Sequence, residues 1–286
     1  MNQKLAPEIK NYFEGRRLLI ATKHGKEIIL GPALEHALGV QVFLLPGYDT
    51  DQFGTFSGEV ERRGDAVSTL RKKIRLAMDL AKADLAVGSE GSFGPHPQLG
   101  WIAADQEWLM LIDARHDLEI TAQTISTETN FAQQPIASPA ELDIFARQVG
   151  FPAHGLILKA ETASGPIFEK AIRDEAHLHA AYHALRQRSS TITIETDMRA
   201  QYNPMRQKVI AATCSQLLNI IASPCPQCGA PGFTVTSTIP GLPCRWCGTP
   251  TTWVLRSIST CRKCTCRRET EVDSKADPQN CPQCNP

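Results

Sequence analysis

The sequence predicts an α/β fold: a mixed, mainly parallel sheet flanked by helices, with a C-terminal double zinc-ribbon module. Two observations carry this. Short apolar runs alternate with segments of helical periodicity over residues 16–160, and all ten cysteines lie between Cys214 and Cys284, eight of them in CxxC pairs. Strand followed by helix and strand is the pattern of a layered sheet with parallel neighbours.

Residues 17–22, 40–45 and 85–89 read as buried strands, and 107–113 with 118–126 as a hairpin turning at Ala114–Asp117. Between the second and third strands Val67, Leu70, Ile74, Ala77, Met78 and Ala81 recur at helical spacing and form an apolar stripe. A second unit follows, with a helix over 139–149, a strand over 155–159, a long helix over 166–187 and a strand over 191–194. Whether it extends the first sheet is open. An apolar helix over 208–221 leads to Ala222-Ser223-Pro224, which stops it. The expected organisation is an α/β ligand-binding domain over 1–150, a mixed α/β extension over 151–222 and a double zinc-ribbon module over 223–286.

Composition narrows the function classes. Thirty basic and thirty acidic side chains in 286 residues cancel, so no global field would hold nucleic acid or an anionic membrane. With 42% hydrophobic and 21% charged residues the chain belongs with globular proteins. The longest apolar runs are strand-sized, well short of the roughly 20 residues of a membrane helix, and residues 1–13 lack a signal-peptide pattern. A cytoplasmic location is the expectation, and in a reducing compartment CxxC pairs read as metal knuckles.

Fifteen residues lie between the pair Cys225, Cys228 and the pair Cys244, Cys247, and sixteen between Cys261, Cys264 and Cys281, Cys284. Each block is the length of a complete four-thiolate ribbon, which favours sequential pairing and two structural zinc ions. The alternative is a cross-brace, in which the first and third knuckles share one metal and the second and fourth the other. Cys214 reads as a buried apolar side chain and Cys266 as a bystander. From Cys225 onward seven basic side chains face four acidic ones. Two zinc ions with eight thiolates carry about −4, which leaves the loaded module near neutral. Arg262, Lys263, Arg267 and Arg268, with Trp246 and Trp253, keep RNA or protein contact open; the other reading is that two metals replace a core too small to fold alone.

Three segments after predicted strands gather small and charged residues. In the first, Thr22, Lys23 and Lys26 flank a turn that opens a helix, a setting suited to phosphate. The second, residues 49–62, holds Asp49, Asp51, Glu59 and Glu61, enough carboxylate for a magnesium ion with water and phosphate oxygens, or simply a capped turn. The third, residues 88–97, brings Ser89, Glu90, Ser92 and His96 among glycines. Carboxyl ends of parallel strands collect such loops at one crevice.

The strings DTDQFGTFSGEVER, GSEGSFGPHP and ETDMRAQYNPMR, together with the knuckles, resemble a bacterial family known as a domain of unknown function, over nearly the whole chain. More distantly, ATKHGK, GEVERRGDA and ADLAVGSEGSF resemble the inosine/xanthosine triphosphate pyrophosphatases over residues 16–150. That resemblance implies a magnesium-dependent attack of water on a nucleotide phosphate. Thr22 and Lys26 would then contact phosphate, and Glu61 and Glu90 would be the catalytic carboxylates. The expectation is a metal-dependent hydrolase of a nucleotide or other phosphorylated small molecule; the alternative is a non-enzymatic zinc-ribbon adaptor for RNA or protein. No membrane partner is expected. Glu195, Asp197 and Arg199 form a further candidate site or a salt-bridged loop. His179 and His183 read as a solvated helix edge, and Arg71, Lys72, Lys73 and Arg75 as the exposed face of their helix.

Overall fold

The structure, a computed structural model, describes residues 5–22, 25–48 and 65–286. The chain opens with α1 (Pro7–Phe13), β1 (Arg17–Ala21), α2 (Glu27–Leu38), β2 (Gln41–Leu44) and α3 (Ala66–Ala81), then β3 (Leu85–Pro95), β4 (Ala103–Asp113) and β5 (Leu118–Ser126). These strands form one sheet in the order β2-β1-β3-β4-β5. β1 runs parallel to β2 and β3, whereas β3–β4 and β4–β5 are antiparallel. The sheet is therefore mixed and not mainly parallel. The cause is local: the links over 96–102 and 114–117 are too short for the crossover that parallel neighbours require.

β3 also runs farther than predicted. It pairs with β4 from Leu85↔Asp113 to Pro95↔Ala103, while β1 stops at Ala21, level with Gly88. The described pairing of β1 with β3 thus ends one residue before Ser89. Side chains alternate between the two faces. Leu18, Ile20, Val87, Leu109 and Leu111 pack under α1, α2 and the late helix α6 (Pro204–Ile221); Leu19, Ala86, Met110 and Ile112 pack under α3. Asp65 caps α3 by accepting from the Ser68 amide at 2.9 Å. At the opposite edge Arg16 grips the buried Asp113 through two hydrogen bonds, 2.5 and 2.9 Å.

A second, antiparallel sheet has the order β6-β9-β7-β8, built from β6 (Gln133–Ile136), β7 (Leu156–Thr162), β8 (Gly165–Ile172) and β9 (Ile192–Thr196). It shares a core with α4 (Pro139–Gln148) and α5 (Glu175–Arg186), through Leu142, Phe145, Leu158, Leu178 and Ile194. The single helix predicted over 166–187 is in fact β8 followed by α5. Gly165 turns β7 into β8, and Asp174 starts α5 by accepting from the His177 amide at 2.8 Å. α6 starts at Pro204, four residues earlier than its apolar stripe suggests, because Asn203 caps it from the Arg206 amide at 3.0 Å. Among the described residues no helix is long and apolar enough to cross a membrane.

The C-terminal module is a three-stranded antiparallel meander of β10 (Thr234–Pro240), β11 (Val254–Thr260) and β12 (Arg267–Glu271).

Candidate active site and metal centres

Where β1 ends, six ionisable side chains and a serine are buried together: Lys26, Lys73, Ser89, Glu90, Asp105, Glu107 and Arg206, each at most 7% exposed. Lys26, at the start of α2, donates to Ser89 Oγ at 2.8 Å. Lys73 comes from α3 and pairs with Glu90. Arg206, in the first turn of α6, donates from Nε to Glu107 Oε1 at 2.6 Å and from Nη1 to the Met198 carbonyl, with its guanidinium 4.9 Å from the centre of the Phe93 ring. Gly91 makes this arrangement fit. A β-carbon there would lie 2.5 Å from Arg206 Nη2 and 2.7 Å from Glu107 Oε1.

Electrostatics follow from burial. Lys26 loses solvation and faces Arg206 and Lys73, against the attraction of Glu107 and Glu90, so its pKa falls to about 7. Burial and the charge of Glu107, opposed by Arg206 and Lys26, push the Asp105 carboxyl up to about 7. Among the described residues neither Asp105 oxygen has a hydrogen-bond partner, nor does Glu107 Oε2. An ammonium and a carboxyl both poised near neutrality can exchange protons with a ligand, and groups moved in this way are commoner at functional sites than elsewhere, though buried structural ion pairs shift them too.

Of the residues named from sequence, Lys26 and Ser89 meet directly. Glu90 is next along the strand but turned to the α3 face; it still acts on Lys26 because β1 has ended. Thr22 follows β1, its amide bonded to the Ile20 carbonyl at 3.0 Å. Ser92 is half-buried. His96 sits at the tip of the β3–β4 hairpin, where its Nδ1 accepts from the Gln98 and Leu99 amides. Lys23, Asp49, Asp51 and Glu61 lie outside the described residues.

Sequence reading passed over Lys73, Asp105, Glu107 and Arg206, although each left a periodic signal. Lys73, expected on the exposed face of its helix, falls on the apolar side with Leu70, Ile74 and Ala77 and is buried. Leu111 and Leu109, followed backwards in steps of two, lead to Glu107 and Asp105. The stripe Ile221, Leu217, Cys214, Ile210 leads back to Arg206. Arg71 pairs with Glu119 at 2.7 Å, and Lys72 and Arg75 are exposed.

The lesser candidates are structural. Asp197 is fully buried and holds Arg199, which lies over the Tyr202 ring, and it also accepts from the Ala171 amide. His179 meets Asp143 at 3.1 Å on the half-exposed edge of α5. Cys214 is buried in the α6 core, and burial pushes its thiol up to about 11.

The eight knuckle cysteines form two groups, Cys225, Cys228, Cys261 and Cys264, and Cys244, Cys247, Cys281 and Cys284, with the four sulfurs of each within 4.8 Å of one another. Pairing is thus cross-braced, which overturns the sequential expectation. A sequential ribbon needs an even number of strand passes between its knuckles. Here one strand, β10, separates the first knuckle from the second, and β11 returns the chain to the first end. Closest sulfur contacts between knuckles run from 3.5 to 3.9 Å. A tetrahedral zinc site with bonds near 2.3 Å has edges of about 3.8 Å, so each group is fit to hold a zinc ion with a closed coordination sphere.

All four knuckles share one turn, in which the amide four residues after the first cysteine donates to its carbonyl: Gly229 to Cys225, Gly248 to Cys244, Thr265 to Cys261 and Asn285 to Cys281, at 2.9 to 3.0 Å. Gly229 and Gly248 take positive φ there, and so does Thr265 at 57°. Cys266 has a structural part, since its carbonyl accepts from the Cys261 amide at 2.8 Å, as Ala230 does for Cys225. A left-handed conformation costs an L-residue with a side chain about 1 kcal/mol. Thr265→Gly should therefore raise the unfolding free energy of the zinc-loaded protein by up to about that amount, measured by urea denaturation; a loss of stability would contradict the turn assignment.

The module is seated on the first sheet. Arg262 reaches Glu119 at 3.4 Å, Lys263 lies 5.5 Å from the centre of the Tyr12 ring, and a β-carbon on Gly232 would press on Ile120 at 3.0 Å.

Fold and site together define a mixed α/β protein with a buried cluster of paired charges and a cross-braced eight-cysteine module. A family model described as a domain of unknown function (DUF6671) matches residues 73–286, and the chain belongs to that family. No match is found among curated proteins.

Proposed function

We propose that the protein is a metal-dependent hydrolase of a nucleotide or another phosphorylated small molecule, working at the end of β1. The observation that carries this reading is the burial of Lys26, Asp105, Glu107 and Arg206 together on one face of the first sheet, with the buried Lys73–Glu90 pair on its other face. Taking ions out of water costs several kcal/mol each, and apolar packing would stabilise the fold at least as well. Such a cluster is kept where charge has work to do. Lys26 places a buried cation at the N-terminus of α2, the end of a helix that favours phosphate. A divalent cation would neutralise the phosphate and orient a water for attack. Two of the pyrophosphatase-like strings, ATKHGK and ADLAVGSEGSF, contain Lys26, Ser89 and Glu90; the third, GEVERRGDA, lies mostly outside the described residues.

The adaptor reading rests on Trp246 and Trp253, which are exposed. Against it, Arg262 and Lys263 are turned onto the first sheet, and Arg245, Arg256 and Arg267 pair with acidic side chains, which leaves little of the basic patch for a nucleic-acid backbone.

The test is a screen of nucleotides and phosphoesters with magnesium or manganese. Lys26→Met should lower kcat/KM by roughly two orders of magnitude, the scale of losing a principal electrostatic contact. With its pKa near 7, Lys26 is an ammonium below that pH and an amine above it. Its share of catalysis should therefore fall as pH rises through 7. If no phosphorylated compound is turned over with either metal, the reading is wrong.

A further inference from the structure

We infer that Asp105 and Glu107 hold a divalent cation of the magnesium or manganese type on the face of the first sheet shared with Lys26. This deepens the hydrolase reading and rests on it for the ion's role. The two carboxylates are two residues apart on β4, so they share a face, and they lie opposite Phe93 and Gly91 on β3. Both are 1% exposed, and three of their four oxygens, both of Asp105 and Oε2 of Glu107, have no hydrogen-bond partner among the described residues. Buried polar atoms in folded proteins are almost always partnered, and an isolated buried carboxylate is among the costliest exceptions.

Each neighbouring cation has a described partner other than these three oxygens. Lys26 donates to Ser89, Lys73 is paired with Glu90, and Arg206 Nε binds the remaining Glu107 oxygen. What three orphaned carboxylate oxygens on one face fit is a hard cation. Magnesium is commonly held by one or two carboxylates, with its other positions left to water and phosphate oxygens. Arg206 is then a positioning residue: by gripping Oε1 it turns Oε2 of Glu107 toward the ion, as hydrogen bonds to ligating carboxylates do elsewhere. Glu90, one of the two carboxylates that the pyrophosphatase resemblance implies are catalytic, is turned to the other face with Lys73.

The experiment is manganese binding to the full, zinc-loaded chain without substrate, followed by the loss of the free Mn2+ signal in electron paramagnetic resonance. The expected result is one Mn2+ per chain, displaced by Mg2+. Asp105→Asn and Glu107→Gln should each weaken binding tenfold or more, whereas Glu128→Gln, at an exposed carboxylate, should not. Asp105→Ser serves if the asparagine variant does not fold. A wild-type chain that leaves all manganese free, or Asp105 and Glu107 variants that bind as tightly as wild type, overturns the site. Bound manganese with no phosphorylated compound hydrolysed would remove the hydrolase reading and leave the site; hydrolysis with no bound cation would do the reverse.

Discussion

A chain ended after Thr260 should bind no zinc. It retains Cys225, Cys228, Cys244 and Cys247, the complete ligand set of a sequential ribbon, so sequential pairing would leave it one zinc ion. In the cross-brace those four belong to two different groups at opposite ends of β10, two to each. A strand of seven residues at about 3.3 Å per residue separates such ends by roughly 23 Å, far beyond the reach of one ion. The effect should be large, because the binding free energy of a structural zinc site, on the order of 10 kcal/mol or more, is folding free energy for a module of this kind. Elemental analysis decides the matter. One tightly held zinc in the shortened chain, with a four-thiolate cobalt spectrum on substitution, would refute the interleaved arrangement; Cys261→Ser in the full chain should lose one zinc and retain the other.

The second large effect is expected at the Glu107–Arg206 pair, whose side chains are 1% and 0% exposed. Arg206→Met should destabilise the protein by about 3–5 kcal/mol, because it leaves Glu107 ionised in the interior without its partner. Arg206→Met combined with Glu107→Leu should recover most of that loss, since a well-packed apolar pair of similar volume is often neutral or better than a buried ion pair. Urea denaturation of the two single variants and the double variant, closed as a cycle, measures the coupling. A cost below about 1 kcal/mol for Arg206→Met would mean that water or another cation reaches Glu107. The double variant should also lose manganese binding even where its stability returns, which separates the pair's role in the site from its role in the fold.

How far these features were legible in the sequence depends on the range of the interaction. The strands at β1, β2, β3 and β5, the stripe of α3 and the identity of the eight ligands are local patterns, and reading them needs no knowledge of what lies across the fold. Sheet direction failed because it depends on link length, and the extension of β3 through Ser89-Glu90-Gly91 hid the tight turn at 96–102. Zinc pairing failed for a related reason: spacing counts residues between knuckles, whereas pairing depends on how many times the chain crosses the module between them. At the site, Lys26 and Ser89 were found because glycines and charges cluster after strands. Asp105, Glu107, Lys73 and Arg206 were missed because a charged residue within an apolar stripe reads as noise until the partner that neutralises it is seen. Each partner comes from a distant element, α3 to β3 and α6 to β4.

α6 has a further consequence. Its first turn carries Arg206 into the ion cluster, and its last residue, Ile221, lies four positions before Cys225 of the first metal group. At 1.5 Å per residue its 18 residues make a rod of about 27 Å. The segment leaving it is tied down at once, Ser223 by the Ile220 carbonyl and Phe233 by the carbonyl of Ser223. One continuous helix therefore joins the buried ion cluster to the metal module, with no loose linker between them.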